Sequence, residues 1–327
     1  MPQAGAVGII ANPASGKDIR RLVAHGSTFD NNEKINTIRR ILIALGTLGV
    51  HDIWYMPDTY AIVPRAVEQA KAAITLHSLP MSVLGNAGDS TEAAMQMRDL
   101  GVSCIVTLGG DGTNRVVAKG CGDVPLVPIS TGTNNVFPQM VEGTLAGMAA
   151  AAVALGVASS SVDRWPKLHV SIDGNPRDIA LVDVVVSNQT WIGARAFWDA
   201  AHVNEVVLSH IPRRAIGICS LGPLLLPDHV LNAGGMHARL GETGARVLCP
   251  IAPGLLTEVT VSDFRKLATG ESVVLQSTRG TIALDGEREI ELHGNERVEV
   301  LLSSDGPWVV DFDRAIAAAT TAGMFRR

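Results

Sequence analysis

The first half of the chain alternates short apolar runs with stretches of helical periodicity. Five short, largely apolar runs predict strands, at residues 6–11, 51–56, 81–84, 102–108 and 125–129. Between them, apolar residues recur at three- and four-residue spacing, which predicts helices over residues 35–48 and 63–74. Asp89 and Glu92 have the spacing of a capping box before a third helix. Strands that alternate with helices predict a mainly parallel sheet covered on both faces.

The second half has a different pattern, in which short β-type runs follow one another with turn residues between them. These runs lie at residues 168–172, 179–186, 206–211, 236–240, 247–249, 257–261, 272–276, 281–284 and 298–302. Asp173-Gly174 and Asp285-Gly286 predict hairpin turns. Only residues 193–202 predict a helix here, and residues 311–324 return to helical composition.

We therefore expect an α/β N-terminal domain with a mainly parallel sheet and an all-β C-terminal domain of the β-sandwich type. The boundaries predicted are residues 1–157 for the first domain and 158–310 for the second. The tail, residues 311–327, is expected to form a helix that packs back on the first domain.

Composition and charge narrow the class of protein. Hydrophobic residues make up 46% of the 327 residues, which is enough for a large core, and the formal net charge is −5 without a basic block. A nucleic-acid partner is therefore not expected. The apolar stretch at residues 144–158 is too short to span a bilayer, which needs about 20 residues. The four cysteines form no C-x-x-C pair and the N-terminus has no secretion signal, so we expect a soluble cytoplasmic protein with free thiols.

The strongest chemical signal is the motif G-G-D-G-T at residues 109–113, between a predicted strand and a predicted helix. Glycines permit positive φ and let backbone N–H groups approach an anion, and a helix N-terminus favours negative charge. Asp111, between Gly110 and Gly112, could accept a proton from a substrate hydroxyl or organise Mg²⁺. A tight strand-to-helix turn with an aspartate cap is the alternative reading.

Two further loops follow predicted strands. Residues 130–135 contain Thr131, Gly132, Thr133, Asn134 and Asn135, whose hydroxyl and amide groups suit a nucleotide but also an ordinary loop. The carboxyl ends of strands in open α/β sheets bind ligands, and this location favours the nucleotide.

The loop at residues 12–17 contains Asn12, Ser15, Gly16 and Lys17. It lacks the P-loop spacing, and Arg115 occupies the position where a dinucleotide fingerprint needs its third glycine. The sequence therefore excludes a Walker-type ATPase and a Rossmann dehydrogenase. The catalytic motifs H-E-x-x-H and G-x-S-x-G are also absent from it.

Together these motifs resemble the superfamily that joins NAD kinases with diacylglycerol and sphingosine kinases. The resemblance rests on the loops at residues 12–17, 109–113 and 131–135, and on three motifs of the second half. Those three are A-L-V-D-V-V at 180–185, P-I-A-P followed by L-L-T at 250–257, and L-D-G-E at 284–287. Within the superfamily, the chain most resembles the acetoin catabolism protein X family.

The resemblance implies a nucleotide in a cleft between two domains, with ATP and Mg²⁺ as cofactors. It implies Asp111 as catalytic base or metal organiser, and the three loops, with Gly109 and Thr113, as nucleotide-binding. Asp183, Asp285 and Glu287 are implied in substrate binding, and Asp111 and Asp285 are candidate metal ligands.

The leading reaction is phosphorylation of NAD to NADP, with a possible link to acetoin catabolism. One departure bears on the acceptor, because NAD kinases have asparagine before the acid that corresponds to Asp183, and here that residue is Val182. A lipid or small polyol kinase and a non-catalytic nucleotide-binding regulator therefore stay as alternatives. We further expect a homo-oligomer.

Overall fold

The computed structural model describes residues 5–16, 25, 29–189, 200–227, 229, 234–276 and 278–326. In its first half, strands and helices alternate. They are β1 (Val7–Ala11), α1 (Asn31–Thr47), β2 (Asp52–Tyr55), α2 (Ile62–Ala70), β3 (Thr75–Ser78), α3 (Ala87–Asp99), β4 (Cys104–Gly109), α4 (Asp111–Ala118), β5 (Leu126–Ser130) and α5 (Gly143–Ala154).

The second half is mostly strand. Its elements are β6 (Val162–Arg164), β7 (Lys167–Ile172), β8 (Asn175–Ala180), β9 (Asp183–Ser187), β10 (Val203–Leu208), α6 (Leu221–Leu225), β11 (Gly235–Ala252), β12 (Leu255–Leu267), β13 (Ser272–Leu275), β14 (Gly280–Leu284), β15 (Glu287–Leu292), β16 (Val298–Ser303), β17 (Trp308–Val310) and α7 (Phe312–Thr321). Short 3₁₀ turns lie at Ala200–His202 and Ile218–Ser220.

The first sheet has the strand order β3-β2-β1-β4-β5-β17-β6 and is parallel except for the β17–β6 pair. Successive residues of a strand point to opposite faces. Accordingly, Ile9 and Val106 pack with α1, α2, α5 and α7, whereas Ile10 and Ile105 pack with α3 and α4. Helices thus cover both faces, and the carboxyl ends of β1, β4 and β5 lie side by side at one edge.

The other two sheets are antiparallel, with the orders β12-β11-β10-β9-β14-β15 and β13-β16-β7-β8. Valine, leucine and isoleucine side chains from both sheets form one buried cluster, which includes Val170 of β7 and Val186 of β9. The predicted fold class, an α/β half followed by a β-sandwich, is confirmed. The division at residues 157/158 stays a prediction, and β17 and the edge strand β6 extend the first sheet from outside residues 1–157.

Several local predictions need correction. The third strand lies at Thr75–Ser78 and not at residues 81–84. Helix α2 ends early, at Lys71, which has a left-handed backbone with φ 49°, and the strand follows soon after it. Asp89 does not cap α3. Asn86 caps that helix, and the Asp89 carboxylate instead accepts hydrogen bonds from Leu84 N and Gly85 N.

In the second half, residues 236–240 and 247–249 belong to one long strand, β11, and residues 179–186 are divided between β8 and β9. Of the helix predicted at 193–202, residues 193–199 lie outside the described residues. The two predicted hairpin turns are confirmed, since Asp173-Gly174 and Asp285-Gly286 all have positive φ and join β7 to β8 and β14 to β15.

All four cysteines are buried free thiols. Within the part of the chain that the structure describes, no helix is long and apolar enough to cross a membrane.

Helices α1 and α5 approach so closely that they leave no room for a side chain at two glycines. A Cβ on Gly147 would lie 2.7 Å from the carbonyl oxygen of Ile41 and 2.8 Å from Cβ of Ala44, and one on Gly143 would lie 2.7 Å from the carbonyl oxygen of Thr37. Because backbone atoms form this contact, the helices can accept a Cβ only by moving apart.

We therefore predict that Gly147→Ala destabilises the protein by about 1–3 kcal/mol, as overpacking does. An exposed helical glycine changed to alanine gains up to about 1 kcal/mol. Gly46→Ala is the matched control, since its Cβ would meet nothing nearer than 3.4 Å. Urea unfolding of both variants measures the difference, and stabilisation by Gly147→Ala would contradict the close approach.

Candidate active site

A cleft of about 630 Å³ opens at the carboxyl ends of the parallel strands. Its walls are the loops after β1, β4 and β5, at residues 12–16, 110–113 and 131–135, together with residues 56–59, Val83 and residues 85–90. Asp285, Glu287 and Glu289 close it from the β14–β15 hairpin. The cleft therefore gathers the three loops that the sequence singled out, with the exception of Lys17, which lies outside the described residues.

The glycines of the G-G-D-G-T motif are required for space and not for a left-handed backbone, since none of the three has positive φ. A Cβ on Gly109 would lie 2.4 Å from Thr113, one on Gly110 would lie 2.8 Å from Oδ1 of Asn135, and one on Gly112 would lie 3.0 Å from Oε1 of Glu287. Each glycine thus admits a different neighbouring polar side chain.

Asp111 joins this motif to the loop after β5. It is the first residue of α4, and its carboxylate accepts hydrogen bonds from Val136 N at 3.0 and 3.1 Å and from Phe137 N at 2.8 Å. Phe137 itself is buried against Trp165 in the core. The contact fixes both the Asp111 carboxylate and the end of the neighbouring loop.

Side-chain hydrogen bonds connect all three loops. Asn12 Nδ2 donates to Thr113 Oγ1 at 2.9 Å, and Thr131 Oγ1 donates to Ser15 Oγ at 3.1 Å. Within the third loop, the Gly132 carbonyl accepts from Ser130 Oγ at 2.7 Å. The loops therefore form one polar surface.

Two of the remaining loop residues face the cleft with unequal exposure. Thr133 is exposed, whereas Asn134 has a buried Oδ1 without a hydrogen-bond partner among the described residues. Asn135 donates from Nδ2 to Ser130 Oγ at 2.7 Å. A ligand group that donates a hydrogen bond could satisfy Asn134.

Asp183 and Asp285 hold the start of β9 against the β14–β15 turn. The Asp285 carboxylate accepts hydrogen bonds from the backbone N–H groups of Leu181, Val182 and Asp183, at 2.7–3.3 Å. In return, Asp183 Oδ1 accepts from Gly286 N at 3.3 Å. Burial raises the pKa of Asp285 to about 6, against the opposing effects of Arg115 and of these backbone N–H groups.

Arg115 is a residue of this site that the sequence did not reveal. Its side chain is 3% exposed, and it pairs with Asp178 at 3.2 Å, with Glu289 at 2.9 Å and with Asp285 at 3.6 Å. Burial alone would lower the pKa of Arg115, but the carboxylates of Asp285, Asp178 and Glu289 together raise it. Asp178 and Glu289 lie 63 and 174 residues away along the chain, so no local signal could identify them.

A second, smaller cavity of about 40 Å³ adjoins the cleft. Asp111, Asn134 and Asp285 line both cavities, and Asp183 lines the smaller one. The rest of its lining is largely apolar, with Val182, Val185, Ile216, Ile218, Cys219 and Ile251. Asp111 therefore lies where a polar cleft meets a small and mostly apolar cavity.

The carboxylates of the candidate magnesium ligands, Asp111 and Asp285, are both engaged by other groups of the protein. Both carboxylates accept several backbone hydrogen bonds, and Asp285 also lies beside Arg115. Among the described residues, no group of three or more His, Cys, Asp or Glu side chains is arranged to hold a metal ion.

Comparison with known proteins assigns the family. Residues 7–156 match the ATP-NAD kinase N-terminal domain, and residues 166–305 match the acetoin catabolism protein X C-terminal domain. The chain is 37% identical over 312 residues to acetoin catabolism protein X of Cupriavidus necator, covering 90% of this chain and 87% of the relative. The chain belongs to the acetoin catabolism protein X family. The resemblance inferred from the motifs is confirmed.

More distant similarities lie within the same superfamily. The chain is 24% identical over 271 residues to an NAD kinase of Methanosarcina mazei, covering 79% of this chain and 86% of that protein. A solved structure assigned as a diacylglycerol kinase from Bacillus anthracis covers 94% of this chain at 13% identity, with a TM-score of 0.48. For this member of the acetoin catabolism protein X family, the kinase N-terminal domain supports a phosphotransferase.

The Arg115 cluster provides a test of how the site is held together. We predict that Arg115→Met lowers the free energy of unfolding by about 3–5 kcal/mol, because it removes the cation beside the fully buried carboxylate of Asp285, while Asp178 keeps Lys119 as a partner. Arg98→Met is the control, since Arg98 is 41% exposed and pairs with its neighbour in the chain, Asp99. Its effect should stay within about 0.5 kcal/mol. Chemical unfolding measures both free energies. Equal losses in the two variants would contradict a stabilising role of the Arg115 cluster.

Proposed function

We propose that this protein is an ATP-dependent kinase that phosphorylates a hydroxyl group, with NAD to NADP as the leading reaction. The observation that carries the proposal is the position of Asp111, which lines both the polar cleft and the small cavity. Phosphoryl transfer depends mostly on positioning and charge stabilisation, and three polar loops at strand ends can supply the positioning. The NAD kinase domain match supports the same class of reaction.

In the proposed reaction, the cleft holds ATP and the acceptor hydroxyl approaches Asp111. The hydroxyl oxygen attacks the γ-phosphorus, its proton passes to the Asp111 carboxylate, and the bond to the β–γ bridging oxygen breaks to release ADP. Asn12, Ser15, Gly16, Lys17, Thr113 and the loop at residues 131–135 are proposed to bind the nucleotide. Asp183, Asp285 and Glu287 are proposed to bind or position the acceptor.

A small hydroxylated acceptor is the second candidate, and the smaller cavity favours it. A volume of about 40 Å³ is far below the space that a dinucleotide half needs, and Val182 offers no hydrogen bond there. The 37% identical relative is named for acetoin catabolism, and a link of this chain to that process is part of the proposal. A lipid acceptor stays an alternative.

One assay separates these functions. ADP formation from ATP and Mg²⁺ would be measured without acceptor, with NAD, and with a series of three- to five-carbon polyols. ADP formed only with NAD supports the leading reaction, and ADP formed only with a polyol supports the second candidate. ATP binding without turnover on any acceptor would indicate a nucleotide-binding regulator, and no binding of ATP would overturn the proposal.

We predict that Asp111→Asn lowers kcat by at least about 10²-fold, because the amide cannot take the proton. Glu205→Gln is the control. Glu205 is also a buried carboxylate that accepts a hydrogen bond from a backbone N–H group, that of Gln276, and it lines neither cavity. If both variants lose stability equally while only Asp111→Asn loses kcat, the loss is chemical. Near wild-type kcat in Asp111→Asn would remove the role proposed for this residue.

The acceptor can be tested at Val182, which is 4% exposed and lines the small cavity beside Asp183. We predict poor NAD binding by the wild type and a gain in kcat/KM for NAD in Val182→Asn of up to about tenfold, because the amide restores a hydrogen bond worth about 1.4 kcal/mol.

Val185→Asn places the same amide elsewhere in that cavity and should bring no gain. Tight NAD binding by the wild type, weakened in Val182→Asn, would show that Val182 does not face the acceptor.

A further inference from the structure

Lys34 lies beneath the loop after β1. It is the fourth residue of α1 and is 0% exposed. Its ammonium donates to the backbone carbonyls of Asn12 at 2.9 Å, Pro13 at 3.2 Å and Ser15 at 2.7 Å, and to Oδ1 of Asn31 at 3.1 Å. Lysine is almost never fully buried, because removing a charge from water is costly unless hydrogen bonds compensate. These four acceptors therefore compensate for the burial of the ammonium and hold it against the loop.

The hydrogen bonds of Lys34 decide which way the loop presents its dipoles. Three carbonyl oxygens between residues 12 and 15 are turned toward α1 by the ammonium. Carbonyl oxygens carry partial negative charge, so their removal from the cleft side lowers the repulsion that an anion would meet there. The effect comes from the turned carbonyls, because the N–H groups of Asn12, Ala14 and Ser15 already donate hydrogen bonds within the protein. The same loop lines the cleft from Asn12 to Gly16.

The charge of Lys34 also acts inside the cleft. Asp58 lines the cleft from the loop after β2. Burial raises the pKa of Asp58, while the positive charge of Lys34 opposes that rise. The ammonium thus provides positive potential at a cleft whose wall also carries Asp285, Glu287 and Glu289.

We infer that Lys34 is a positioning residue, which fixes the loop at residues 12–16 in the conformation that binds the phosphate groups of the nucleotide. The inference rests on the proposed function, because it takes ATP as the ligand of the cleft. Lys34 acts through the loop, which Asn12 and Ser15 connect to Thr113 and Thr131. Its effect should therefore increase with the number of phosphate groups on the ligand.

The test measures binding directly, so that it does not depend on the acceptor. Wild type and Lys34→Met would be compared by calorimetry with ATP, ADP and AMP, and by competition with adenosine. We expect Lys34→Met to weaken ATP binding by at least about tenfold and adenosine binding by less than about twofold, with ADP and AMP between them. A purely structural role would weaken all four ligands alike.

Two further variants keep the test decisive. Asn31→Ala removes one acceptor of the ammonium without leaving carbonyls unpaired, and it should weaken ATP binding by about threefold relative to adenosine even if Lys34→Met does not fold. Thr37→Val, at a buried residue one turn further along α1, is the control for changes within the helix and should alter neither affinity.

The outcomes separate the two proposals. If the wild type does not bind ATP, the proposed function fails. If the wild type binds ATP but Asn31→Ala and any folded Lys34→Met protein lose affinity for ATP and adenosine equally, or not at all, the positioning role of Lys34 is overturned and the proposed function stands.

Discussion

The carboxylate of Asp111 is the contact on which the geometry of the site depends. It starts α4, yet its hydrogen bonds go to Val136 N and Phe137 N at the end of the loop after β5. Hydrogen bonds from backbone N–H groups to charged acceptors are about twice as strong as neutral ones. The same carboxylate therefore fixes two loops and faces two cavities, so its structural role and its proposed chemical role coincide in one side chain.

Buried charges extend this arrangement on both sides of the cleft. Lys34 holds the loop after β1 from below, and Arg115 ties α4 to carboxylates of the β-sandwich. Each charge is almost inaccessible to water and surrounded by acceptors, which is the condition under which burial is tolerable. The conformation of the cleft loops therefore depends on buried charged residues outside the loops as well as on their own glycines.

The two cavities differ in the chemistry that they can recognise. The cleft is large and lined by polar loops, while the cavity on the other side of Asp111 is small and mostly apolar. Val182 lines the small cavity. It occupies the position where, in the NAD kinase pattern, an asparagine offers an amide. A buried site without that amide loses a hydrogen bond to a polar ligand, at a cost of about 1–3 kcal/mol. In the proposed function, selectivity for the acceptor therefore depends on the small cavity and its immediate walls.

The sequence by itself determined the two-part fold and the three loops of the cleft. Apolar runs with helices between them require a covered parallel sheet, and the carboxyl ends of its strands bring the following loops together whatever lies between them. The turns at Asp173-Gly174 and Asp285-Gly286 were equally predictable, because their left-handed backbone is a local property.

Only the tertiary structure decided the partners of Lys34, Arg115 and Asp111. A lysine in a helix and an arginine after a glycine motif look like surface residues in a sequence, since burial and pairing depend on residues up to 174 positions away. The strand at Thr75–Ser78 and the role of Asp89 were missed for a related reason, because the end of α2 and the loop before α3 are set by neighbouring elements. Local pattern fixes local conformation, whereas long-range hydrogen bonds and ion pairs form only once the chain has folded.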